Sequence, residues 1–237
     1  MAFADRVLPD LIGAANASGD PVALGAAGVL ERWSHNSDAP DTGAILFELW
    51  YQTYLADANT PRSTSRGSDY PAFRIEWSDA DPLRTPVGLA APGRSVGYLI
   101  AAAKQLETQF GGLEVPFGQV NRIVLVGHDS TFQHVQPLTN LPASGSGDPF
   151  GGIRALYYFP APVPHQNWAV NGDTYVQVVE FTPDGAKALA LLSYGNASRP
   201  GSRHITDQLP FFQAKRLRPV YRTRDEVQAH VARREDF

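Results

Sequence analysis

Several groups of residues have the types and spacing to do chemistry. His204 and Asp207 stand three apart, just before Phe211 and Phe212. Such a pair can act as base and acid, or it can fix a loop while its carboxylate satisfies free helix amides. Glu180 lies in the run Tyr175–Phe181, where side chains alternate with period two. Val176, Val178 and Glu180 therefore share one face, and Tyr175, Gln177, Val179 and Phe181 share the other. A carboxylate on so apolar a face is a site candidate, a structural acid paired with an arginine, or an edge position open to solvent. His128, Asp129 and His134 are of metal-ligating type, but two histidines six apart without a third firm ligand do not fit the usual zinc spacings. Ser130 lacks the Gly-x-Ser-x-Gly elbow of a serine hydrolase. Asn196 and Ser198 sit in a Gly- and Pro-rich turn, where loop formation is their ordinary use.

The elements that must position these residues follow from periodicity and punctuation. Thr182-Pro183-Asp184-Gly185 separates the run ending at Phe181 from the almost wholly apolar run Ala188–Tyr194. Proline presets its own dihedral and glycine accepts positive φ, so this reads as a β-hairpin, with the second strand covered on both sides. Upstream, Val7, Leu8, Leu11 and Ile12 give helical spacing between Phe3 and Ala15. Asp20-Pro21 starts a second helix reaching about Trp33, with a capping carboxylate and proline at the first helical position. A third helix spans roughly Gly43 to Ala56, with Ile45, Leu46, Leu49, Trp50, Thr53 and Tyr54 on one broad face.

Asn59 to Pro92 reads as a long ordered loop carrying an aromatic plug at the alternating Phe73, Ile75 and Trp77. Arg94–Phe110 is helical and stops at Gly111-Gly112. Surface loops are expected from Gly118 to Gly152, around a short apolar run at Ile123–Val126. Strands are expected at Ile153–Phe159 and Asn167–Val170. The last helix begins with a capping box, Thr223 to Glu226, and closes with Arg233 and Arg234. Helices first, strands next and helix last suit an α+β unit, helical over 1–110, loop and strand over 111–195, loop and helix over 196–237.

Composition excludes several classes. The 237 residues are 43% hydrophobic and 19% charged, which is globular, not disordered, and enough for a substantial core. A net charge of −4 without Lys/Arg blocks argues against nucleic acid, and Lys215, Arg216, Arg218, Arg222 and Arg224 read as a solvated end. The absence of cysteine removes disulfides and thiolate chemistry. No apolar run approaches the roughly 20 residues that span a bilayer. Met1–Arg6 lacks the basic-then-apolar order of a signal peptide.

The blocks Gly172-Asp173-Thr174-Tyr175-Val176-Gln177, Val179-Glu180-Phe181, Ser193-Tyr194-Gly195-Asn196-Ala197-Ser198 and Pro200-Gly201-Ser202-Arg203-His204 with Asp207-Gln208 occur in an order that resembles the late β chain of the penicillin acylase family. Ala44–Trp50, Thr85–Leu89 and Glu114–Gly118 resemble it too, so the likeness covers most of the chain. The resemblance implies part of a four-layer αββα N-terminal nucleophile hydrolase sandwich. It implies a serine freed by self-cleavage, with its own amine as base and an oxyanion hole, all lying upstream of Met1. The remainder of the precursor would then be the partner, and the isolated chain would be inactive. The substrate class implied is a linear amide, such as an N-acyl-homoserine lactone or a penicillin or lipopeptide side chain, with no cofactor. The family's calcium ligands would lie in parts outside this sequence, and its members are exported.

On the same resemblance Glu180 is the expected supporting carboxylate for the active-site histidine, with Asp173 next. Trp33, Trp50, Trp77, Tyr157, Tyr158 and Trp168 are candidates to line an acyl pocket, the helical ones being ordinary core otherwise. Two other readings stand beside this one. The chain could be a non-catalytic remnant serving as a binding module, or an independent hydrolase built on His128 or Ser130.

Overall fold

The computed structural model describes residues 1–58, 72–128, 135–137, 139–147, 150, 155–197, 199 and 201–231. Their contacts cluster into two compact units, Met1–Gly172 and Asp173–Phe237.

The first unit is built on four helices, α1 (Ala2–Ser18), α2 (Pro21–Arg32), α3 (Ala44–Ala58) and α4 (Pro92–Phe110). Local chemistry sets their ends. Gly19 and Gly111 close α1 and α4 in the left-handed region, at φ 66° and 74°, which a glycine reaches without Cβ strain. Asp20 starts α2 as expected: its Oδ1 accepts from the Val22 and Ala23 amides at 2.8 and 3.0 Å. Asp20→Ala frees both amides and is expected to cost about 1 kcal/mol in urea unfolding; an unchanged midpoint would count against the cap.

The first two turns of α3, Ala44–Tyr51, are buried on every side rather than on one face. Phe47 and Tyr51 are as enclosed as Trp50 and Tyr54, whereas Thr53 is exposed. A helix apolar on every side must be surrounded, and α3 packs on α2 and α4 while α1 packs on α2 and α4. Arg6 of α1 donates to the Leu83, Thr85 and Pro86 carbonyls, and Asp10 accepts from the Leu89 amide at 2.9 Å. These bonds hold β2 (Val87–Leu89) beside α1; β2 pairs antiparallel with β1 (Phe73–Ile75).

The stretch expected to be one long loop therefore contains this two-stranded ribbon, and residues 59–71 lie outside the described residues. Of the expected aromatic plug, Phe73 stacks on Phe3, but Ile75 and Trp77 are exposed. The described part of 118–152 also holds more regular structure than expected. It holds the short α5 (Phe117–Val120), β3 (Asn121–Ile123), β4 (Val126–His128), β5 (Val135–Pro137) and β6 (Leu141–Pro142). With β7 (Leu156–Pro160) and β8 (Asn167–Gly172), near their expected places, β3 and β6 make a sheet ordered β6-β3-β8-β7. The β3–β8 pair is parallel; every other described pair is antiparallel.

In the second unit, β9 (Tyr175–Thr182) and β10 (Gly185–Leu192) form the expected hairpin around Pro183-Asp184, with Gly185 opposite Thr182 and Leu192 opposite Tyr175. β11 (Arg218–Val220) adds to β10, and α6 (Leu209–Gln213) packs on β10. The capping box at Thr223 and Glu226 opens α7 (Arg224–Ala229) as read; Arg233 and Arg234 lie outside the described residues. The β10 strand is covered only toward its end: Leu191 is buried and Leu189 is 43% exposed. The protein is thus an α+β chain with helices leading and largely antiparallel strands following.

Candidate functional site

The buried polar chemistry of the first unit centres on Glu48, in the apolar run Ala44–Tyr51 of α3. Its side chain is 9% exposed, and the Asn121 amide donates to its Oε2 at 3.5 Å. Asn121 is fully buried and accepts in turn from the Asn167 amide at 3.2 Å. The parallel register of β3 and β8 places Asn121 opposite Asn167, which makes this relay possible. Burial pushes the Glu48 carboxyl up to about 8, against a smaller downward pull from the Asn121 hydrogen bond. Glu48 is therefore a neutral acid at pH 7, buried within the apolar run of α3.

Beside α3 is a half-open cleft of about 270 Å³. Ile45 and Leu49, which flank Glu48 on α3, form one side with Leu106 and Phe110 of α4. The β7–β8 turn, residues 160–167, forms the other and includes Asn167, the outer end of the relay. His165 takes φ 59° in that turn, and its ring meets Phe110 edge to face at 5.6 Å. Gln166 is also in the lining; its Oε1 is buried and has no hydrogen-bond partner among the described residues, nor has Trp168 Nε1 on β8. A second, more open groove of about 470 Å³ runs along the ends of α2 and α4, where Arg32 and Glu114 pair at 3.0 Å.

The residues singled out from the sequence lie elsewhere. Glu180 is exposed on β9, on the face it shares with Val176 and Val178 and directly across from Lys187 of β10. Asp173 precedes the hairpin, and its backbone carbonyl accepts from the Ser193 hydroxyl. His204 and Asp207 do meet, Nδ1 to Oδ2 at 2.7 Å, on an exposed turn, with the Arg203 Nε 3.2 Å from the other ring nitrogen. Asn196 is exposed in the same loop, whereas Ser198 lies outside the described residues, as do Asp129, Ser130 and His134. Of His128 only the backbone, in β4, is described.

The loop that carries His204 is tied to Gly195. The Ala197 amide donates to the His204 carbonyl at 3.3 Å, and the Gln208 amide to the Tyr194 carbonyl at 2.8 Å. A Cβ at Gly195 would collide with the His204 carbonyl oxygen and stand 2.8 Å from the Ile205 carbonyl. Gly195→Ala is expected to cost about 1–3 kcal/mol by forcing backbone apart, with faster amide exchange across residues 193–208; protection equal to the parent would contradict that packing.

Among the aromatic candidates, Trp33 and Trp50 are core, Trp77 is exposed, and Tyr157, Tyr158 and Trp168 are half-buried. The Glu48–Asn121–Asn167 relay was not among the sequence candidates. The one available signal was a lone carboxylate inside an unbroken apolar helix run.

Compared with known proteins, residues 1–229 match the penicillin amidase family. The acyl-homoserine lactone acylase PvdQ of Pseudomonas putida is 30% identical over 237 residues, covering 98% of this chain and 27% of that protein. The PvdQ acylase of Pseudomonas syringae pv. syringae is 28% identical, covering 97% and 28%. The chain thus spans about a quarter of the length of these curated relatives. A thermostable penicillin G acylase from Alcaligenes faecalis aligns at a TM-score of 0.40 and 14% identity, over 97% of this chain and 45% of that one.

Proposed function

The chain belongs to the penicillin amidase family, and from that premise we propose that it is one segment of an acylase-type amidohydrolase, active only together with acylase sequence outside these residues. The substrate is a linear amide, with N-acyl-homoserine lactones first among the possibilities because the relatives carry that activity in their names. The nucleophilic serine comes from the remainder of the acylase precursor.

The observation that carries this reading is the state of the second unit's sheet. Val178 is 55% exposed, Phe181 86% and Leu189 43%, so apolar side chains on both faces of β9 and β10 stand in water. A soluble sheet rarely leaves such residues uncovered unless something packs there. A further layer of acylase sequence supplies that cover. Glu180, on the Val176 and Val178 face, is then enclosed with it and becomes the supporting carboxylate for the histidine, with Asp173 as the alternative.

The test is complementation. The chain is co-expressed with the Pseudomonas putida acylase lacking its matching quarter, and release of homoserine lactone is followed. The expected result is hydrolysis from the pair and none from either piece. Hydrolysis by the chain alone, or a stable complex without activity, would defeat the proposal. Within an active pair, Glu180→Gln lowers kcat at least about tenfold with KM little changed if it orients the histidine; an unchanged kcat removes that role and passes it to Asp173.

A second reading, a folded binding module without catalysis, draws on the core of the first unit, where α1–α4 bury a continuous cluster from Ala4 to Leu106. It expects a monodisperse, cooperatively unfolding chain that gives no activity on complementation.

A further inference from the structure

We propose that the bond between Asn171 and Gly172, at the end of β8, is a self-modification site: Asn171 loses its side-chain amide as ammonia and becomes aspartate or isoaspartate, and the isoaspartate form releases the end of the β7–β8 pair. Both residues lie in the first unit, so the inference is independent of any catalytic role for the chain.

Asn171-Gly172 is the one Asn-Gly pair in the sequence. Asn171 is exposed, and the Gly172 amide donates to its Oδ1 at 2.7 Å. That bond holds the backbone nitrogen of Gly172 against the Asn171 side-chain carbonyl, whose carbon is one bond beyond the oxygen. A nitrogen kept so near its electrophile reacts as an intramolecular partner. Glycine is the residue that the position requires: a Cβ at 172 would stand 2.4 Å from the Ala155 carbonyl oxygen and 2.7 Å from Cδ2 of Leu156. The close approach of β7 therefore keeps beside Asn171 the one residue type with no side chain to shield the attacking nitrogen.

Ring closure needs the Asn171 backbone to turn out of its extended form, and β8 is least constrained there. β3 pairs with β8 at Asn167 and Trp168, and beyond them β7 is the one neighbouring strand among the described residues. The β7–β8 register shifts between Tyr157 and Tyr158, which leaves Val170 without a partner across the ladder. Past that bulge come Tyr157 with Asn171 and Leu156 with Gly172, where β8 ends. A strand end joined to one neighbour beyond a bulge opens at low cost. In the step itself, the Gly172 nitrogen bonds to Asn171 Cγ while the Cγ–Nδ2 bond breaks, and the proton from the Gly172 amide leaves with Nδ2 as ammonia. Water then opens the five-membered imide. Attack at Cγ gives aspartate; attack at the Asn171 main-chain carbonyl carbon gives isoaspartate, in which the chain runs through Cβ and Cγ. Neither step needs an oxidant or a reductant. Isoaspartate adds one carbon to the backbone opposite Tyr157, where Gly172 lies too close to β7 to shift in place.

The experiment holds the full chain folded at neutral and at mildly alkaline pH, beside a sample unfolded in guanidinium, and follows each asparagine by peptide mapping and mass spectrometry. The peptide bearing Asn171 is expected to gain about one dalton in the folded chain, faster at the higher pH because the attacking nitrogen must lose its proton, with isoaspartate among the products. Asn36, before Ser37, and Asn196, before Ala197, are expected to react at least about tenfold more slowly. Asn171→Gln keeps a side-chain amide but has a larger ring to close, and is expected to abolish the gain at this position. The isoaspartate form, separated by ion exchange, is expected to exchange its backbone amides faster than the parent across residues 155–158, with α1–α4 unchanged. A gain at Asn171 in the unfolded sample but none in the folded one, a gain no faster there than at Asn36 or Asn196, a rate indifferent to pH, an equal gain in Asn171→Gln, or exchange across 155–158 equal to the parent would each overturn the proposal.

Discussion

Glu48→Gln is expected to make the protein more stable at pH 8, by roughly 2–4 kcal/mol, and to flatten the dependence of its stability on pH. The reason is a carboxyl held neutral by burial. In the folded chain it titrates near 8, against 4.5 for the free group. Between those values the native state keeps a proton that the unfolded state has lost, so stability falls as pH rises through the window. The full contribution is present below about pH 4.5 and is lost by the time pH passes about 8. The rise corresponds to about 5 kcal/mol at roughly 1.4 kcal/mol per unit, an upper bound because water and side chains relax around an ionised buried group. Glutamine keeps an oxygen to accept from Asn121 and never ionises. Its amide leaves one extra donor to satisfy, at a cost of about 1 kcal/mol, which lowers the net gain. Urea unfolding at pH 5, 6.5 and 8 is the measurement. The parent should lose stability across the series and the variant should not. Parallel pH profiles for the two proteins would mean that Glu48 ionises freely in the folded chain.

Glu48 also marks the boundary of what could be read before the fold was known. Features written within a few residues of each other were legible. Asp20 with Pro21, Gly111 after Phe110, Pro183-Asp184-Gly185 and the Thr223–Glu226 box each specify a backbone conformation through local hydrogen bonds or a preset dihedral, and each is found where it was read. The relay was not legible, because its bonds join residues 73 and 46 apart in sequence and depend on a parallel β3–β8 pairing that no periodicity announces. The cleft shares that origin, since α3, α4 and the β7–β8 turn meet only in three dimensions. The same limit explains β3 to β6: strands of two or three residues are too short to alternate, so a stretch rich in Gly, Pro and Ser reads as loop. Glu180 shows the converse. Its face was read correctly from alternation, with Val176 and Val178 beside it, but alternation says only which side chains share a face and nothing of what covers them. In this chain that face is open to water at Val178 and Glu180.

Trp50→Ala is expected to be the most destabilising single change in the helical core, costing about 3–5 kcal/mol. Trp50 is 0% exposed and lies two residues from Glu48 on α3, turned by about 200° of helix from it. Its ring stacks on Tyr54 at 5.7 Å and 14° and leans on Phe47 at 5.6 Å, while its indole N–H donates to the Ser95 carbonyl of α4 at 3.1 Å. Alanine removes the largest side chain at the α3–α4 contact, and the neighbours are themselves large, fully buried rings that cannot fold inward to fill the space. Trp50→Phe separates the two contributions. It keeps most of the packed ring, loses the hydrogen bond to Ser95, and is expected to cost only about 1–2 kcal/mol. Far-UV circular dichroism in urea is the suitable readout, because it does not depend on the tryptophan being removed. A loss below about 1 kcal/mol for Trp50→Ala would mean that α3 is not the enclosed centre of the first unit. The raised carboxyl of Glu48 would then lose its cause as well, since the same enclosure that makes Trp50 costly to remove is what makes Glu48 costly to ionise.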